Sequence, residues 1–110
     1  MRVSDIYWLA GLYEGEGCFS QSGYSLEACI WMVDEDIMRR AHALIPVAKW
    51  GFRELPSRKT QYGLRLYGKN AVSLMMTLYP ILGVRRQARI REHIEWWKAR
   101  PGSGNYTRLN

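Results

Sequence analysis

Apolar and polar residues alternate over ten consecutive positions, from Tyr24 to Val33. One face of an extended backbone would carry Leu26, Ala28, Ile30 and Met32, and the other face Ser25, Glu27, Cys29 and Trp31. A period of two is typical of a β-strand with one buried face. We therefore expect a half-buried strand here, preceded by a turn at residues 21–23 and by another strand that begins near Cys18.

A second pair of strands is predicted over residues 49–55 and 60–67, joined by a turn at residues 56–59. The helical spacing of apolar residues predicts helices over residues 6–15, 34–45, 69–79 and 84–99. The order is therefore α-β-β-α-β-β-α-α, with two hairpin-like strand pairs. It indicates an α+β fold with a four-stranded antiparallel sheet and helices on one face.

The length of 110 residues suits one domain, which we expect to occupy residues 1–100. Residues 101–110 begin with Pro101-Gly102-Ser103-Gly104 and are expected to form a flexible tail. No apolar run approaches the roughly 20 residues that a membrane span needs, and no signal-peptide layout is present, so no membrane partner is expected. Cys18 and Cys29 have apolar neighbours and are expected to be buried, reduced thiols in an intracellular, reducing compartment. The compartments that fit this expectation are a bacterial or phage-infected cytoplasm and an organelle.

The charge of the chain points towards a polyanion. Lys plus Arg exceed Asp plus Glu by 16 to 10, which gives a net charge of +6. The isoelectric point is about 9.6, and a strongly basic small domain is a footprint of nucleic-acid binding. A basic protein without a polyanion partner has the same composition, so charge alone does not decide.

The first predicted helix has an unusual composition. Gly11 and Gly15 lie four residues apart, and each glycine costs a helix interior about 1 kcal/mol relative to alanine. Such spacing favours close packing, either on the helix's own sheet or on the same helix of a second subunit. Glu14 and Glu16 oppose the helix dipole at its C-terminal end. They are either solvated or compensated by a cation, and in a dimer the paired Glu16 carboxylates would need divalent metal between them.

The segment Trp8-Leu9-Ala10-Gly11-Leu12-Tyr13-Glu14-Gly15-Glu16-Gly17-Cys18-Phe19 resembles the LAGLIDADG motif of homing endonucleases. Residues 78–87 resemble the region that follows the last strand in that family, and the likeness spans roughly residues 4–98. The resemblance implies the LAGLIDADG fold, with a saddle-shaped sheet, in a single-motif homodimer. It also implies a metal-dependent double-strand break with 3′ overhangs in a long, near-palindromic double-stranded DNA target.

The resemblance assigns a role to each matching residue. Glu16, with the carbonyl of Gly15, corresponds to the metal ligands, for which Mg²⁺ is the expected ion, or Mn²⁺ or Ca²⁺ in a trapped complex. Glu14 corresponds to an acid that orients structure. Arg85 corresponds to the basic catalytic group near the scissile phosphate, where arginine would stabilise the pentacoordinate phosphate and position water. Asp34 is a candidate for ordering water, although an N-cap role is favoured.

Binding residues follow from the same likeness and from strand parity. The helix pair of a dimer would use Tyr7, Trp8, Gly11, Leu12 and Gly15. The DNA-binding candidates are Ser20, Gln21, Tyr24, Ser25, Glu27, Lys49, Arg53, Arg58, Lys59, Gln61, Arg65 and Arg86. Arg65 suits guanine and Gln61 suits adenine. The direction of Arg53 is left open because Gly51 marks a candidate bulge, and Trp31 would contact DNA or cover the sheet. His42 and His93 are expected on helix surfaces.

Two other classes of function compete with a nuclease. A non-cleaving nucleic-acid-binding protein of the same fold, such as an intron maturase or a transcription regulator, would also be basic. The presence of Glu16 argues against a regulator but not against a maturase. A small protein-interaction domain would show no salt-dependent DNA binding, whereas phosphate contacts make DNA affinity fall steeply with salt.

Overall fold

The computed structural model describes residues 1–56 and 59–100. Its elements are α1 (Val3–Glu16), β1 (Gly17–Ser22), β2 (Ser25–Met32), α2 (Glu35–Leu44), β3 (Lys49–Arg53), β4 (Gln61–Tyr67), α3 (Gly68–Leu78) and α4 (Val84–Ala99). The α+β class and the α-β-β-α-β-β-α-α order are therefore confirmed. The predicted tail, 101–110, lies outside the described residues, so the expected domain bounds stay a prediction.

The four strands form one antiparallel sheet in the order β1-β2-β4-β3. Strand β1 is longer than predicted, because Ser22 still pairs with Ser25 and the turn consists of Gly23 and Tyr24. Gly23 has a φ of 60°, which a two-residue hairpin turn requires and which glycine adopts without steric cost. Gly23 is therefore part of the turn, as predicted, whereas Gln21 and Ser22 of the predicted turn belong to β1.

The helices cover one face of this sheet and enclose the core. Strands β2 and β4 contribute Leu26, Ala28, Ile30, Leu64 and Leu66, as the alternation predicts. The helices contribute Leu9, Ala10, Tyr13, Met38, Ala41, Leu74, Met75, Leu78 and Ile90. In the part of the chain that the structure describes, no helix is long and apolar enough to cross a bilayer.

The prediction for the two histidines is wrong. His93 on α4 is buried, and its Nε2 lies 3.1 Å from the carbonyl oxygen of Phe19 on β1. Burial lowers the pKa of His93, because the charged imidazolium loses hydration there. His42 is half-buried, with Nε2 3.0 Å from the carbonyl oxygen of Ala48. Both rings thus hold a helix against a neighbouring segment.

Candidate nucleic-acid interface and metal site

The face of the sheet opposite the helices carries polar and charged side chains in rows set by the register. Cys18, Cys29, Arg65 and Lys49 are successive partners across all four strands. Further rows contain Trp31, Gly63 and Gly51, then Ser20, Glu27 and Tyr67, and finally Arg53 and Gln61. We call this surface the outer face. Seven of the predicted DNA-binding residues belong to it: Ser20, Ser25, Glu27, Lys49, Arg53, Gln61 and Arg65.

The direction of Arg53, left open by the sequence, is settled by the register. Gly51 pairs with Gly63 without a bulge, so Arg53 shares the outer face with Gln61. The Nε of Arg53 donates to Oε1 of Gln61 at 2.7 Å, and its guanidinium carbon lies 4.3 Å from the ring centroid of Trp31. Stacking and hydrogen bonding therefore hold the Arg53 side chain at one end of the outer face.

Trp31 covers the middle of the outer face. A Cβ atom built on Gly63 would lie 2.5 Å from the Trp31 ring, and one on Gly51 would lie 3.7 Å from it. Real Cβ atoms do not approach aromatic carbons as closely as 2.5 Å, so only glycine at position 63 lets the indole lie flat on the sheet. Trp31 thus covers the sheet, which is the second of its two predicted roles.

Arg65 lies near the middle of the outer face and is also held by a neighbour. Its Nε donates to Oε1 of Glu27 at 3.2 Å, and its guanidinium carbon lies 5.7 Å from the ring centroid of Tyr67. The amine of Lys49 lies 5.7 Å from the same ring. The side chain of Glu27 is mostly buried and that of Arg65 is exposed, so the acid is covered while the guanidinium faces solvent.

Four predicted DNA-binding residues lie away from the outer face or outside the described residues. Gln21 pairs with Leu26 and therefore shares the parity of the helix-covered face, not that of Ser20. Tyr24 lies in the hairpin turn and is 78% exposed. Lys59 is exposed outside the strands, and Arg58 lies outside the described residues. No contact tests the DNA-binding role of any of these residues, which stays a prediction.

Glu14, the first acid of the motif, joins the end of α1 to the start of α4. Its Oε1 accepts a hydrogen bond from the backbone N–H of Gly83 at 2.5 Å, and its Oε2 lies 3.2 Å from Nε of Arg86. Arg86 also donates to the carbonyl oxygens of Glu14 and Gly17, at 3.2 and 2.8 Å. The carboxylate therefore meets the positive end of α4, and the arginine meets the negative end of α1.

A residue that contacts DNA needs an exposed side chain with free hydrogen-bond donors, and Arg86 differs from this. Its side chain is only 17% exposed, and its Nε and Nη1 already donate to protein acceptors. Glu14 agrees with the structural role that the motif implies. The cation that the helix dipole demands for Glu14 comes from the same chain.

Glu16 lies two residues after Glu14, and Arg85 lies one residue before Arg86, but neither is held by other parts of the chain that the structure describes. Both are exposed. Among residues 1–56 and 59–100, neither side chain forms a hydrogen bond or an ion pair. Because Glu14 and Arg86 fasten α1 to α4, these two unpaired groups lie at the same corner of the molecule.

A groove next to this corner runs between β1 and α4. It is lined by Gly17, Cys18 and Phe19 on β1 and by Arg85, Arg86, Ala88, Arg89 and Glu92 on α4, with Nη1 of Arg89 3.9 Å from the Glu92 carboxylate. Arg89 was not among the predicted site residues. It follows Arg85 by four residues, and residues at that spacing share one face of a helix. The sequence therefore contained a signal, the i and i+4 spacing, that could have identified Arg89.

Asp34 occupies the N-cap position of α2, but its side chain makes no capping hydrogen bond. Its backbone carbonyl accepts the helical hydrogen bond from Met38 at 3.1 Å. The favoured N-cap role is therefore correct for the backbone and wrong for the carboxylate. The alternative role in ordering water stays a prediction.

The glycine side of α1 faces away from the rest of the chain. Tyr7, Gly11 and Gly15 are exposed, and a Cβ atom built on either glycine would meet nothing within 4 Å in the described residues. Tight packing of these glycines on their own sheet is therefore excluded. Trp8 and Leu12, the other predicted interface residues, are half-buried, and the guanidinium of Arg40 lies 4.0 Å from the Trp8 ring.

The metal-ligand set of one chain is small. No group of three or more His, Cys, Asp or Glu side chains able to hold a metal ion occurs within residues 1–56 and 59–100. Mg²⁺, however, is usually bound by one or two carboxylates together with substrate phosphates rather than by a complete protein cage. The exposed Glu16 carboxylate and the carbonyl oxygen of Gly15 are hard oxygen donors of that type, so they fit the expected ion.

The two cysteines differ from the expected buried thiols. Cys18 is exposed and Cys29 is half-buried, because both lie on the outer face as cross-strand partners. Burial is the main cause that raises the pKa of Cys29 to about 11, with the neighbouring Cys18 as a second cause. Cys29 is therefore a protonated thiol at neutral pH. The reducing compartment stays a prediction.

No protein-family model and no curated protein sequence matches this chain. Solved structures of the homing endonuclease I-CvuI do match. With its target Sro1.3 and 2 mM Ca the TM-score is 0.69, and with the I-CreI target C1221 and 2 mM Mg, where the DNA is not cleaved, it is 0.67. Both matches have 16% sequence identity and cover 96% of this chain and 73% of the other. The likeness confirms the predicted LAGLIDADG homing-endonuclease fold.

Proposed function

We propose that the protein is a homodimeric homing endonuclease that makes a metal-dependent double-strand break in a long, near-palindromic DNA. The observation that carries the proposal is the corner where Glu16 and Arg85 stay exposed and unpaired among the described residues while Glu14 and Arg86 hold the helices together. Unpaired charges beside a groove are suited to a ligand. The fold and the binding of DNA by its structural neighbours support the same proposal.

The outer face supplies the binding surface. A four-stranded antiparallel sheet with a polar face can lie along the major groove and present side chains to base edges. Arg53, Arg65 and Lys49 give this face a positive charge, which favours the phosphate-rich duplex. The same charge predicts that affinity falls steeply as salt rises.

The chemistry would take place at the corner beside that face. When bound, a divalent cation such as Mg²⁺, held by Glu16 and the carbonyl of Gly15, would activate water and stabilise the leaving 3′ oxygen. An arginine is suited to electrostatic stabilisation rather than to general-base catalysis. The role of Arg85 is to stabilise the charge that develops on the phosphate. Arg89, one helical turn away, is partly compensated by Glu92, whose carboxylate lies 3.9 Å from it.

A homodimer would bring two such corners to the two DNA strands. The exposed face of α1, with Tyr7, Gly11 and Gly15, allows a close approach of the same helix from a second copy. Each chain has one Glu16, so a double-strand break requires the second copy. Cuts across the minor groove would leave 3′ overhangs, as the motif resemblance implies.

The first experiment is cleavage of a complex DNA library by the full chain, followed by sequencing of the new ends. It is run over a series of Mg²⁺ and Mn²⁺ concentrations that extends above 2 mM, because one structural neighbour leaves its DNA uncleaved at 2 mM Mg. Ends clustered at one near-palindrome with 3′ overhangs, and absent for Glu16→Gln, would support the proposal. Salt-dependent binding without clustered ends would favour the non-cleaving alternative, a maturase or regulator.

The dimer is tested separately by Gly11→Leu. A leucine at this open position has room within its own chain, so the variant should fold as the parent does. It should sediment as a monomer, because the side chain would block the close approach of two helices. Ala43→Leu, an exposed substitution on α2, is the matched control and should leave the dimer intact. A folded Gly11→Leu dimer would overturn the helix-pair interface.

A further inference from the structure

Two arginines on the outer face are each anchored through the same atom. The Nε of Arg53 donates to Oε1 of Gln61 at 2.7 Å, and the Nε of Arg65 donates to Oε1 of Glu27 at 3.2 Å. Each guanidinium also lies against an aromatic ring, that of Trp31 at 4.3 Å and that of Tyr67 at 5.7 Å. Both arginines are exposed, so the far end of each guanidinium is open to solvent.

An arginine anchored in this way is a prepared two-point donor. With Nε engaged, the two terminal nitrogens remain as a planar fork that suits a pair of acceptors. A long side chain that is already ordered loses less conformational entropy when it binds. The arrangement therefore favours recognition of a rigid pair of acceptors over loose contact with a phosphate.

Guanine is the base that presents such a pair in the major groove. Its O6 and N7 are adjacent acceptors, and arginine in bidentate contact with them is the commonest specific contact to a base. Adenine presents one acceptor and one donor on the same edge, which a fork of donors cannot satisfy. The chemistry of both anchored arginines thus selects guanine.

The sheet register sets the distance between the two forks. Arg53 is the cross-strand partner of Gln61, and Gln61 lies four residues before Arg65 on β4. Four residues of an antiparallel strand span roughly 13 to 14 Å. The DNA helix rises about 3.4 Å per base pair, so this span corresponds to about four base pairs.

We propose that Arg53 and Arg65 each read one guanine, about four base pairs apart, in every half-site of the target. Gln61 and Trp31 act as positioning residues for Arg53, and Glu27 does so for Arg65. In this arrangement Gln61 acts through Arg53, which donates to its Oε1, rather than as a reader of adenine itself. The inference rests on the proposed DNA binding and deepens it by naming the bases.

The test is selection of bound duplexes from a random library by the full chain in Ca²⁺, followed by sequencing. The parent should select two guanine positions about four base pairs apart in each half-site. Arg53→Lys should remove the preference at one position and Arg65→Lys at the other, by about 5- to 100-fold, the worth of a bidentate pair. Lys59→Met is the matched control, because Lys59 is exposed outside the strands and a phosphate contact there should lower affinity for all sequences alike.

The roles of Gln61 and Glu27 are tested by base preference at single positions, which a general loss of structure would not change selectively. Gln61→Leu should relax only the guanine position that depends on Arg53, and it should add nothing to Arg53→Lys in the double variant. Glu27→Leu should relax the Arg65 position, while Glu27→Gln should retain it, because a glutamine oxygen still accepts from Nε. Circular dichroism melting of each variant shows whether the fold is kept.

The outcomes separate the inference from the function beneath it. If no duplex binds in a salt-dependent way, the proposed function fails and the inference fails with it. If DNA binds but the lysine variants leave the guanine positions unchanged, only the inference is overturned. Guanine positions that lie adjacent, or positions that Gln61→Leu relaxes equally, would also overturn it.

Discussion

Two pairs of an acid and an arginine lie at the junction of α1 and α4, and their surroundings differ sharply. Glu14 and Arg86 form an ion pair at 3.2 Å, supplemented by hydrogen bonds to the backbone of the opposite helix end. Glu16 and Arg85 are exposed and have no partner among the described residues. The first pair satisfies the two helix termini, and the second pair has no such role in the described structure. Under the proposed function, neighbouring residues of the same type would divide structure and chemistry between them.

The largest expected effect is that of Glu16→Gln on cleavage. The change removes the anionic metal ligand and should lower the single-turnover rate by at least about 10³-fold. Its free energy of unfolding should stay within about 0.5 kcal/mol of the parent, because the side chain is exposed and unpaired. Full cleavage by this variant would remove Glu16 from the site.

Arg85→Ala should have the next largest effect on the same rate. Loss of one cation near the developing phosphate charge should cost about 10²-fold, or about 2.7 kcal/mol of transition-state stabilisation. The melting temperature should not change, since Arg85 has no protein partner in the described structure. A variant that melts early would show that Arg85 is structural, like Arg86.

Arg86→Met, unlike Arg85→Ala, should mainly lower the stability of the fold. The substitution removes donors to the Glu14 carboxylate and to two backbone carbonyls, and the expected cost is about 2 kcal/mol of unfolding free energy. Urea denaturation measures it. A double-mutant cycle with Glu14→Gln should give a coupling energy of about 1 kcal/mol, whereas the same cycle between Glu16 and Arg85 should give none.

A smaller effect is expected from pH through His93, which holds α4 against β1 independently of the corner. Burial lowers its pKa below the ordinary value near 6.5. The unfolded chain therefore binds a proton at a higher pH than the folded chain does. Stability should be full above about pH 6.5 and fall as the pH drops below it. His93→Gln should flatten this dependence, and a dependence unchanged in that variant would contradict the assignment.

Most of the fold was predictable because its strands have one buried face. Alternation in residues 25–32 requires a fixed parity, and the structure buries the predicted set of Leu26, Ala28 and Ile30. The parity of β3 was not predictable, because Gly51 has no side chain and Phe52, at the sheet edge, is 64% exposed. Only pairing with β4 shows that Arg53 lies on the outer face.

The site was partly predictable, because the sequence shows where acids lie at a helix end but not which residues contact them. The position of Glu14 at a helix C-terminus shows from sequence that it needs a cation, but that cation, Arg86, is 72 residues away. Local rules cannot tell which of Glu14 and Glu16 receives it. The motif resemblance separates the two acids, and the structure agrees for Glu14. Arg89 was missed because no motif contains it.

The contact between Glu14 and Gly83 spans 69 positions of the chain, whereas the hairpin of β1 and β2 closes over a two-residue turn. Closing a long loop carries a larger entropic cost than closing a short one, so contacts of this separation form after the local hairpins in a folding chain. The order of events follows from that difference. The β1–β2 hairpin, which carries part of the outer face, assembles from nearby residues, while the corner with Glu16 and Arg85 is completed only when α4 docks. If the proposed function holds, a partly folded chain would lack the metal site, and we expect cleavage only from molecules that have finished folding.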